Sequence, residues 1–204
     1  MILHPHVTGV VLAGGRASRL GGADKASLRL GADPADTTLT RILEVFSGRF
    51  TECLIVTAPG RFEAPVRREG LMVRATTDRI ADCGPLGGID AALRAVLTPL
   101  AFICGCDMPS LSGELIDLMV SRCRPDRLLV PVLRGRPEPL HALYPISRLP
   151  EVERALADGI RMMLDFFERV PVDYLAQEEY AGIDGAERSF MNINTPEDLG
   201  RARA

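Results

Sequence analysis

Apolar and polar positions along the chain change their period repeatedly, and each change marks an element. Val7 to Leu12 is a mostly apolar run, the pattern of a strand buried on both faces of a parallel sheet. From Thr37 the period lengthens: Leu39, Ile42, Leu43 and Phe46 fall on one helical face, with Thr37 or Thr38 as the cap. Glu52 to Thr57 returns to a short apolar run, so strand, helix and strand imply a right-handed parallel crossover. Leu71 to Val73 predicts the next strand, ending near Thr76-Thr77-Asp78. After Gly84-Pro85, helical spacing resumes at Leu86, Ile89, Leu93, Val96 and Leu97, and Leu100 to Cys104 is apolar throughout.

The second half continues less regularly. A helix is predicted from Ser112, with Glu114 in its first turn and Leu115, Ile116, Met119 and Val120 facing inward. Leu128 to Leu133 reads as a strand in which Pro131 suggests an edge or a bulge. His141 to Tyr144 and Val170 to Tyr174 read as strands, and Glu151 to Ala157 as a helix. Ile160, Met163, Leu164 and Phe167 mark one more helical face. Thr195 followed by Pro196 starts a last helix, with acids in its first turn. Ala32 to Asp36 and Gln177 to Glu187 are the expected surface loops. The alternation predicts a single α/β domain over residues 1–204 with a mainly parallel central sheet.

Composition narrows the function classes. A formal net charge of −3 over 204 residues argues against a general nucleic-acid binder. It leaves a nucleotide site open, because local cations outweigh the total at short range. Met1 to His6 lacks a basic region followed by a long apolar core, and no apolar run approaches the roughly 18 residues of a membrane helix. Neither a secretory signal nor a membrane span is therefore expected. The five cysteines are an odd count without a repeating framework, which points to reduced thiols in the cytoplasm. Cys104 and Cys106 read as small buried residues rather than a metal thiolate pair. With no coiled-coil pattern or apolar surface stripe, a monomer is expected.

Candidate chemistry begins where the first strand stops. Val10-Val11-Leu12-Ala13 runs into Gly14-Gly15, and Arg16, Arg19, Gly21-Gly22 and Lys25 follow. A glycine-rich turn at a strand end lets backbone N–H groups crowd an anion, and the three cations could add charge-assisted bonds. The stretch contains neither G-x-x-x-x-G-K-[ST] nor G-x-G-x-x-G. It reads as a polyphosphate cradle of another kind, against a plain flexible loop.

Asp107 lies three residues beyond the apolar run ending at Cys104, the edge where open α/β sheets bind ligands. A carboxylate there suits Mg²⁺, or alternatively caps the turn before Pro109. Asp78 could reach the same edge, to a nucleoside or as loop structure. Gly84-Pro85-Leu86-Gly87-Gly88 permits close approach of a ligand or of another backbone. Asn192 and Asn194 share one side of an extended segment and could bind a ligand or satisfy a turn. His141, alone in an apolar strand, reads as structural. There is no G-x-S-x-G and no H-E-x-x-H.

Together these stretches resemble the MobA family of molybdenum cofactor guanylyltransferases, within the glycosyltransferase-A-like nucleotidyltransferases. The resemblance rests on Leu12 to Lys25, Asp78, Gly84 to Gly88, Cys106-Asp107-Met108-Pro109 and Asn192 to Asp198. It implies a three-layer, Rossmann-like nucleotidyltransferase fold and transfer of GMP from GTP to molybdenum-molybdopterin. By the same resemblance Leu12, Ala13, Gly14 and Gly15 floor the GTP site, Lys25 binds phosphate, and Asp78 contacts GTP. Asp107 would hold Mg²⁺, Arg19 and Lys25 would take up charge on pyrophosphate, and Asn192 and Asn194 would line the site.

Ala13-Gly14-Gly15 and Gly84-Pro85-Leu86 look like the guanine-using branch, whereas cytidine-using relatives typically carry Leu-Ala-Ala-Gly at the loop. Thr57 departs from members that have asparagine after the second strand. Molybdenum-insertion proteins and molybdoenzyme chaperones are the partners such a product implies. Two other readings stay open. One is the same chemistry with CTP or a sugar phosphate; the other is a nucleotide-binding regulator that does no chemistry.

Overall fold

The computed structural model describes residues 2–13, 25–31, 33–58, 68–78 and 83–203. Four parallel strands form its centre: β1 (Val7–Leu12), β2 (Glu52–Thr57), β3 (Met72–Thr77) and β4 (Leu100–Gly105). Their spatial order is β3-β2-β1-β4, with Leu12 in register with Val56 on one side and Gly105 on the other. The chain moves one way from β1 through β2 to β3 and then returns to the other side of β1 as β4. The gap between the ends of β1 and β4 is therefore the topological switch point, where open α/β sheets take ligands.

Beyond β4 the sheet turns antiparallel. β7 (His141–Pro145) pairs with β4, and β5 (Leu128–Leu133) pairs with β7. β5 also pairs with β8 (Val172–Leu175) in parallel and with β6 (Arg136–Pro137) through a tight hairpin. Arg134 and Gly135 both adopt positive φ there, 50° and 75°, as a two-residue primed turn requires. β5 is thus not an edge strand. Its ladder changes partner around Pro131, whose carbonyl accepts the Glu138 N–H at 2.9 Å, and that handover is what tolerates a residue without an N–H of its own.

Strand residues alternate between two cores. Val11, Cys53, Ile55, Phe102 and Cys104 pack under α1 (Thr38–Ser47) and α3 (Gly113–Arg122). Val10, Leu54, Val56, Ala101 and Ile103 pack under α2 (Gly84–Ala95), α4 (Leu149–Ala157) and α5 (Met163–Phe167). Three layers result, as expected of the α/β pattern. α1 starts where Thr37 and Thr40 exchange bonds: the Thr40 N–H donates to Thr37 Oγ1 at 3.2 Å and the Thr37 N–H to Thr40 Oγ1 at 2.8 Å. A cap of this kind is worth about 1 kcal/mol, and it phases Leu39, Ile42, Leu43 and Phe46 onto the sheet.

Three expectations are corrected. Leu97 is exposed, because α2 ends at Ala95 and Val96 turns to extended backbone. In α5 the inward residues are Met163, Phe166 and Phe167, whereas Leu164 faces outward; the helix is only five residues long, so one turn decides the face. Gln177 to Glu187 is not wholly a surface loop. Its first part is helix α6 (Gln177–Tyr180), Tyr180 and Ala186 are buried, and the Tyr180 hydroxyl donates to the Val132 carbonyl at 2.7 Å.

A smaller cluster of Leu30, Ile193 and Ala202 joins the segment after Lys25 to the final helix, α7 (Pro196–Arg203). Among the described residues no helix is long and apolar enough to cross a membrane.

Candidate active site

The two ends of the parallel strands are finished differently. At the N-terminal end the buried Glu52 accepts from Thr8 Oγ1 at 3.2 Å and from the Arg74 guanidinium, which also reaches the Ala95 carbonyl at 2.8 Å. That end is closed by its own polar groups. At the C-terminal end main-chain bonds tie successive loops together. The Ala13 N–H donates to the Val56 carbonyl at 2.7 Å, the Cys106 N–H to the Leu12 carbonyl at 3.1 Å, and the Asp78 N–H to the Thr57 carbonyl at 2.8 Å.

These bonds bring Leu12, Ala13, Thr57, Asp78 and Asp107 to one edge. Asp78 follows β3 and Asp107 follows β4, three inter-strand steps apart, or about 14 Å at about 4.8 Å per step. Leu12 rests on α2, where a Cβ on Gly88 would lie 3.3 Å from its Cδ1. Asp78 sits over the first turn of the same helix, since a Cβ on Gly87 would meet both carboxylate oxygens at 3.1 Å. Cys83 at the N-cap makes no side-chain bond to the helix, and the Asp78 carboxylate lies beside the first turn, at the positive end of the helix dipole.

Asp107 is seated locally. Its Oδ1 lies 2.6 Å from where a Cβ on Gly105 would be, and the Met108 N–H closes the turn on the Gly105 carbonyl at 3.3 Å. The Asp107 carbonyl in turn accepts the Ile193 N–H at 2.9 Å. Ile193 is buried, and Asn192 and Asn194 flank it, both exposed, as a two-residue period requires. The chain's end thus runs directly beside the residue after β4. Asp198 holds this segment in place by accepting from the Asn194 and Thr195 N–H groups at 3.1 and 3.0 Å. Those bonds, the Asn194 one foremost, hold its carboxyl below the usual carboxylate range.

Gly14, Gly15, Arg16 and Arg19 lie outside the described residues. Lys25 opens a single 3-10 turn, Lys25–Ser27, anchored where Thr38 Oγ1 donates to the Ala26 carbonyl at 3.0 Å. Thr57 ends β2 between the strands that carry Ala13 and Asp78. It is buried, and among the described residues its Oγ1 has no hydrogen-bond partner. An unpaired buried hydroxyl costs about 1–3 kcal/mol, which a ligand with a suitable polar atom would recover.

His141 stands apart from this edge. It is buried against Phe102 and Phe190, with ring centroids 5.1 and 4.7 Å away, and its Nε2 lies 2.6 Å from Ser189 Oγ. Burial pushes its pKa down to about 4, so it is a neutral core group near neutral pH. Ser189 also accepts the Ser112 N–H at 2.8 Å, linking β7 to the start of α3. Cys53 and Cys104 are fully buried and their thiols are pushed up by desolvation, which keeps them protonated and inert.

The sequence pattern did not single out Gly105, Ser189 or Tyr180. Gly105 matters through a missing atom beside Asp107, and the other two through partners far away in the chain, so none carries a local signal.

The MobA-like NTP transferase domain model matches residues 9–172. A "probable molybdenum cofactor guanylyltransferase" of Pelotomaculum thermopropionicum is 34% identical over 196 residues, covering 96% of this chain and 91% of that protein. A Methanosarcina mazei protein of the same name is 32% identical over 197 residues, 93% of this chain and 87% of the other. Among solved structures, molybdopterin-guanine dinucleotide biosynthesis protein A from Archaeoglobus fulgidus superposes with a TM-score of 0.75 at 31% identity, covering 96% of each chain. The chain therefore belongs to the MobA-like NTP transferase family and is an enzyme of the nucleotidyltransferase class.

Proposed function

We propose that this enzyme transfers GMP from GTP to the phosphate of molybdenum-molybdopterin, forming the guanine dinucleotide cofactor and releasing pyrophosphate. The observation that carries the reading is the convergence at the β1–β4 switch point. Leu12 and Ala13, the carboxylate-bearing turn at Asp107 and the Asn192–Asn194 segment are bonded side by side there. The names of the relatives supply the nucleotide and the acceptor.

In the reaction an oxygen of the acceptor phosphate bonds to the α-phosphorus of GTP as the α–β anhydride bond breaks. The attacking phosphate is already ionised at neutral pH, so no strong general base is required. The work left to the protein is to bring two anions into line and to offset their repulsion. Leu12, Ala13, Gly14 and Gly15 floor the nucleotide, and Asp78 and the unpaired Thr57 hydroxyl reach its polar atoms. Arg19 and Lys25 take up charge growing on the departing pyrophosphate.

Asp107 is the metal ligand in this reading. Among the described residues no group of three or more His, Cys, Asp or Glu stands together. The donor set fits a cation that takes one carboxylate and completes its shell with water and substrate phosphates, the habit of Mg²⁺. When bound, Mg²⁺ supplies Lewis-acid neutralisation of the α-phosphate oxygens.

The test is pyrophosphate release by purified enzyme given molybdenum-molybdopterin with GTP or with CTP, before and after chelation. Turnover with GTP, lost on chelation and restored by Mg²⁺, is expected. Asp107→Ala should lower turnover by about 10²–10³-fold while retaining part of the nucleotide affinity. Release with CTP but not GTP overturns the guanylyl assignment, and undiminished turnover of the variant removes Asp107 from the mechanism.

A further inference from the structure

Asp107 belongs to the turn that joins β4 to α3, and a turn holds a carboxylate only as firmly as its own ends are held. Hydrogen bonds pin this one at its start, middle and end. At the start, the Gly105 N–H donates to the Leu140 carbonyl at 3.3 Å. The next residue along, His141, is paired with Cys104 in the β4–β7 ladder. In the middle, the Asp107 carbonyl accepts the Ile193 N–H at 2.9 Å. At the end, the Ser112 N–H donates to Ser189 Oγ at 2.8 Å, while the Ser112 hydroxyl accepts the Leu115 N–H at 3.3 Å to cap α3.

These anchors are joined to one another. Leu140 and His141 are adjacent, and Ser189 and Ile193 lie on one short segment. His141 Nε2 stands 2.6 Å from Ser189 Oγ, so a single contact links the two groups of anchors. A closed circuit results. It runs from Gly105 through Leu140 to His141, across to Ser189, and from there both to Ser112 and along the segment to Ile193 and Asp107. The Phe190 ring, buried and 4.7 Å from the His141 ring, holds the same segment against β7.

The linking pair is polar where an apolar pair would pack. His141 and Ser189 are both 0% exposed, with Phe102 on one side of the imidazole and Phe190 on the other. Burying a hydroxyl and an imidazole there incurs a desolvation cost that aliphatic side chains would avoid. Among the described residues His141 Nδ1 has no hydrogen-bond partner, which adds to that cost. Buried polar contacts rigidify their surroundings and specify one arrangement. The arrangement specified here is that of the Asp107 turn.

We infer that His141 and Ser189 are positioning residues for the reaction: their contact locks the turn that carries Asp107 and the Asn192–Asn194 segment beside it. The inference rests on the reading of Asp107 as the metal ligand. A carboxylate already fixed in place takes up a cation without further ordering, whereas a loose turn must be ordered at each binding event. Groups that orient a metal ligand typically change metal affinity or activity by about 10–100-fold when removed. His141 and Ser189 act through the main chain rather than on the carboxylate itself, so the lower end of that range is expected.

The test reads Mn²⁺ binding by EPR, in the presence of a GTP analogue that cannot be cleaved. Asp107→Ala sets the background. Ser189→Ala and His141→Leu each remove the contact, whereas His141→Gln keeps a polar atom near the place of Nε2. Thr98→Val, at the opposite end of the sheet, loses the bond from Thr98 Oγ1 to the Leu100 carbonyl at 2.8 Å and controls for a general loss of stability. Circular dichroism and thermal unfolding follow the fold of each variant. Ser189→Ala and His141→Leu should weaken Mn²⁺ binding by about tenfold, with turnover falling alongside. His141→Gln and Thr98→Val should stay within about twofold of the wild type, and the double variant Ser189→Ala/His141→Leu should be no worse than either single one.

Wild-type Mn²⁺ binding by Ser189→Ala overturns the inference, and that variant decides the matter alone if His141→Leu does not fold. An equal loss in Thr98→Val overturns it too, because the effect would then follow stability rather than position, as does a loss in His141→Gln equal to that in His141→Leu. The reading beneath it fails by a different result, Asp107→Ala binding Mn²⁺ like the wild type, and the inference then falls with it.

Discussion

The buried His141 makes stability depend on pH in a window that can be worked out in advance. An unfolded histidine titrates near 6.5, whereas in the native protein burial pushes His141 down to about 4. Protonation would place a charge between Phe102 and Phe190, and Nδ1 has no hydrogen-bond partner to receive its proton. Below pH 6.5 the unfolded chain therefore binds a proton that the native chain refuses. Since stability rises with pH wherever the unfolded state binds more protons, this contribution is fully present above pH 6.5. It is lost as pH falls toward 4.

The gap of 2.5 pH units, 6.5 less 4, corresponds to about 3 kcal/mol over the whole window, of which about 2 kcal/mol is lost by pH 5. Urea unfolding of wild type and His141→Gln at pH 7.5 and pH 5 measures it. The wild type should lose about 2 kcal/mol more than the variant between the two conditions. Titrations of other groups are common to both proteins and cancel. Imidazole NMR of the native wild type offers an independent check that needs no variant. Parallel losses in the two proteins, or a native imidazole titrating near 6.5, would refute the argument.

Two glycines allow further tests. In Gly9→Ala the new Cβ would lie 2.5 Å from Phe46 Cδ2 and 2.7 Å from Phe50 Cδ2, inside the aromatic cluster that also holds Phe102. Overpacking of that kind should cost about 1–3 kcal/mol, read as a lower thermal midpoint; an unchanged midpoint would mean that the rings yield freely. In Gly105→Ala the Cβ would lie 2.6 Å from Asp107 Oδ1. Displacing a catalytic group by about 1 Å can cost about a hundredfold in rate, so turnover should fall by that order while the midpoint moves little; full turnover would show that Asp107 does not depend on this seat.

The parallel half of the fold was legible because three of its four strands, β1, β2 and β4, are buried on both faces. Val7–Leu12 and Glu52–Thr57 appear with the limits that their apolar runs suggested, and of the two candidate caps of α1 it is Thr37 that serves. The antiparallel half was harder to read. Pro131 read as an edge or a bulge because local sequence does not reveal that β6 takes over the ladder from β7 at that point. Leu164 looked buried because a four-residue spacing was extended across a helix of one turn. Tyr180 looked exposed among polar neighbours, yet its hydroxyl finds the Val132 carbonyl and its ring joins the core. At the site, Asp78 and Asp107 were legible as carboxylates just beyond strand ends, whereas Leu12 was singled out only through the family resemblance. The bond from the Ile193 N–H to the Asp107 carbonyl, which draws the Asn192–Asn194 segment alongside, joins residues far apart in the chain and left no periodic trace.

The two aspartates at this edge illustrate why residue type alone could not divide their roles. Both carboxylates rest where a glycine lacks a Cβ, Asp78 over Gly87 and Asp107 over Gly105. The seats differ in electrostatics. Asp78 lies beside the first turn of α2, whose N–H groups carry partial positive charge, and Cys83 at the N-cap makes no side-chain bond to them. Asp107 follows a fully buried strand and lies in a turn held by main-chain bonds to Gly105 and Ile193. The proposed function gives Asp107 to the metal and Asp78 to the nucleoside, and the helix dipole beside Asp78, which favours a carboxylate there without a cation, is the physical ground for that division.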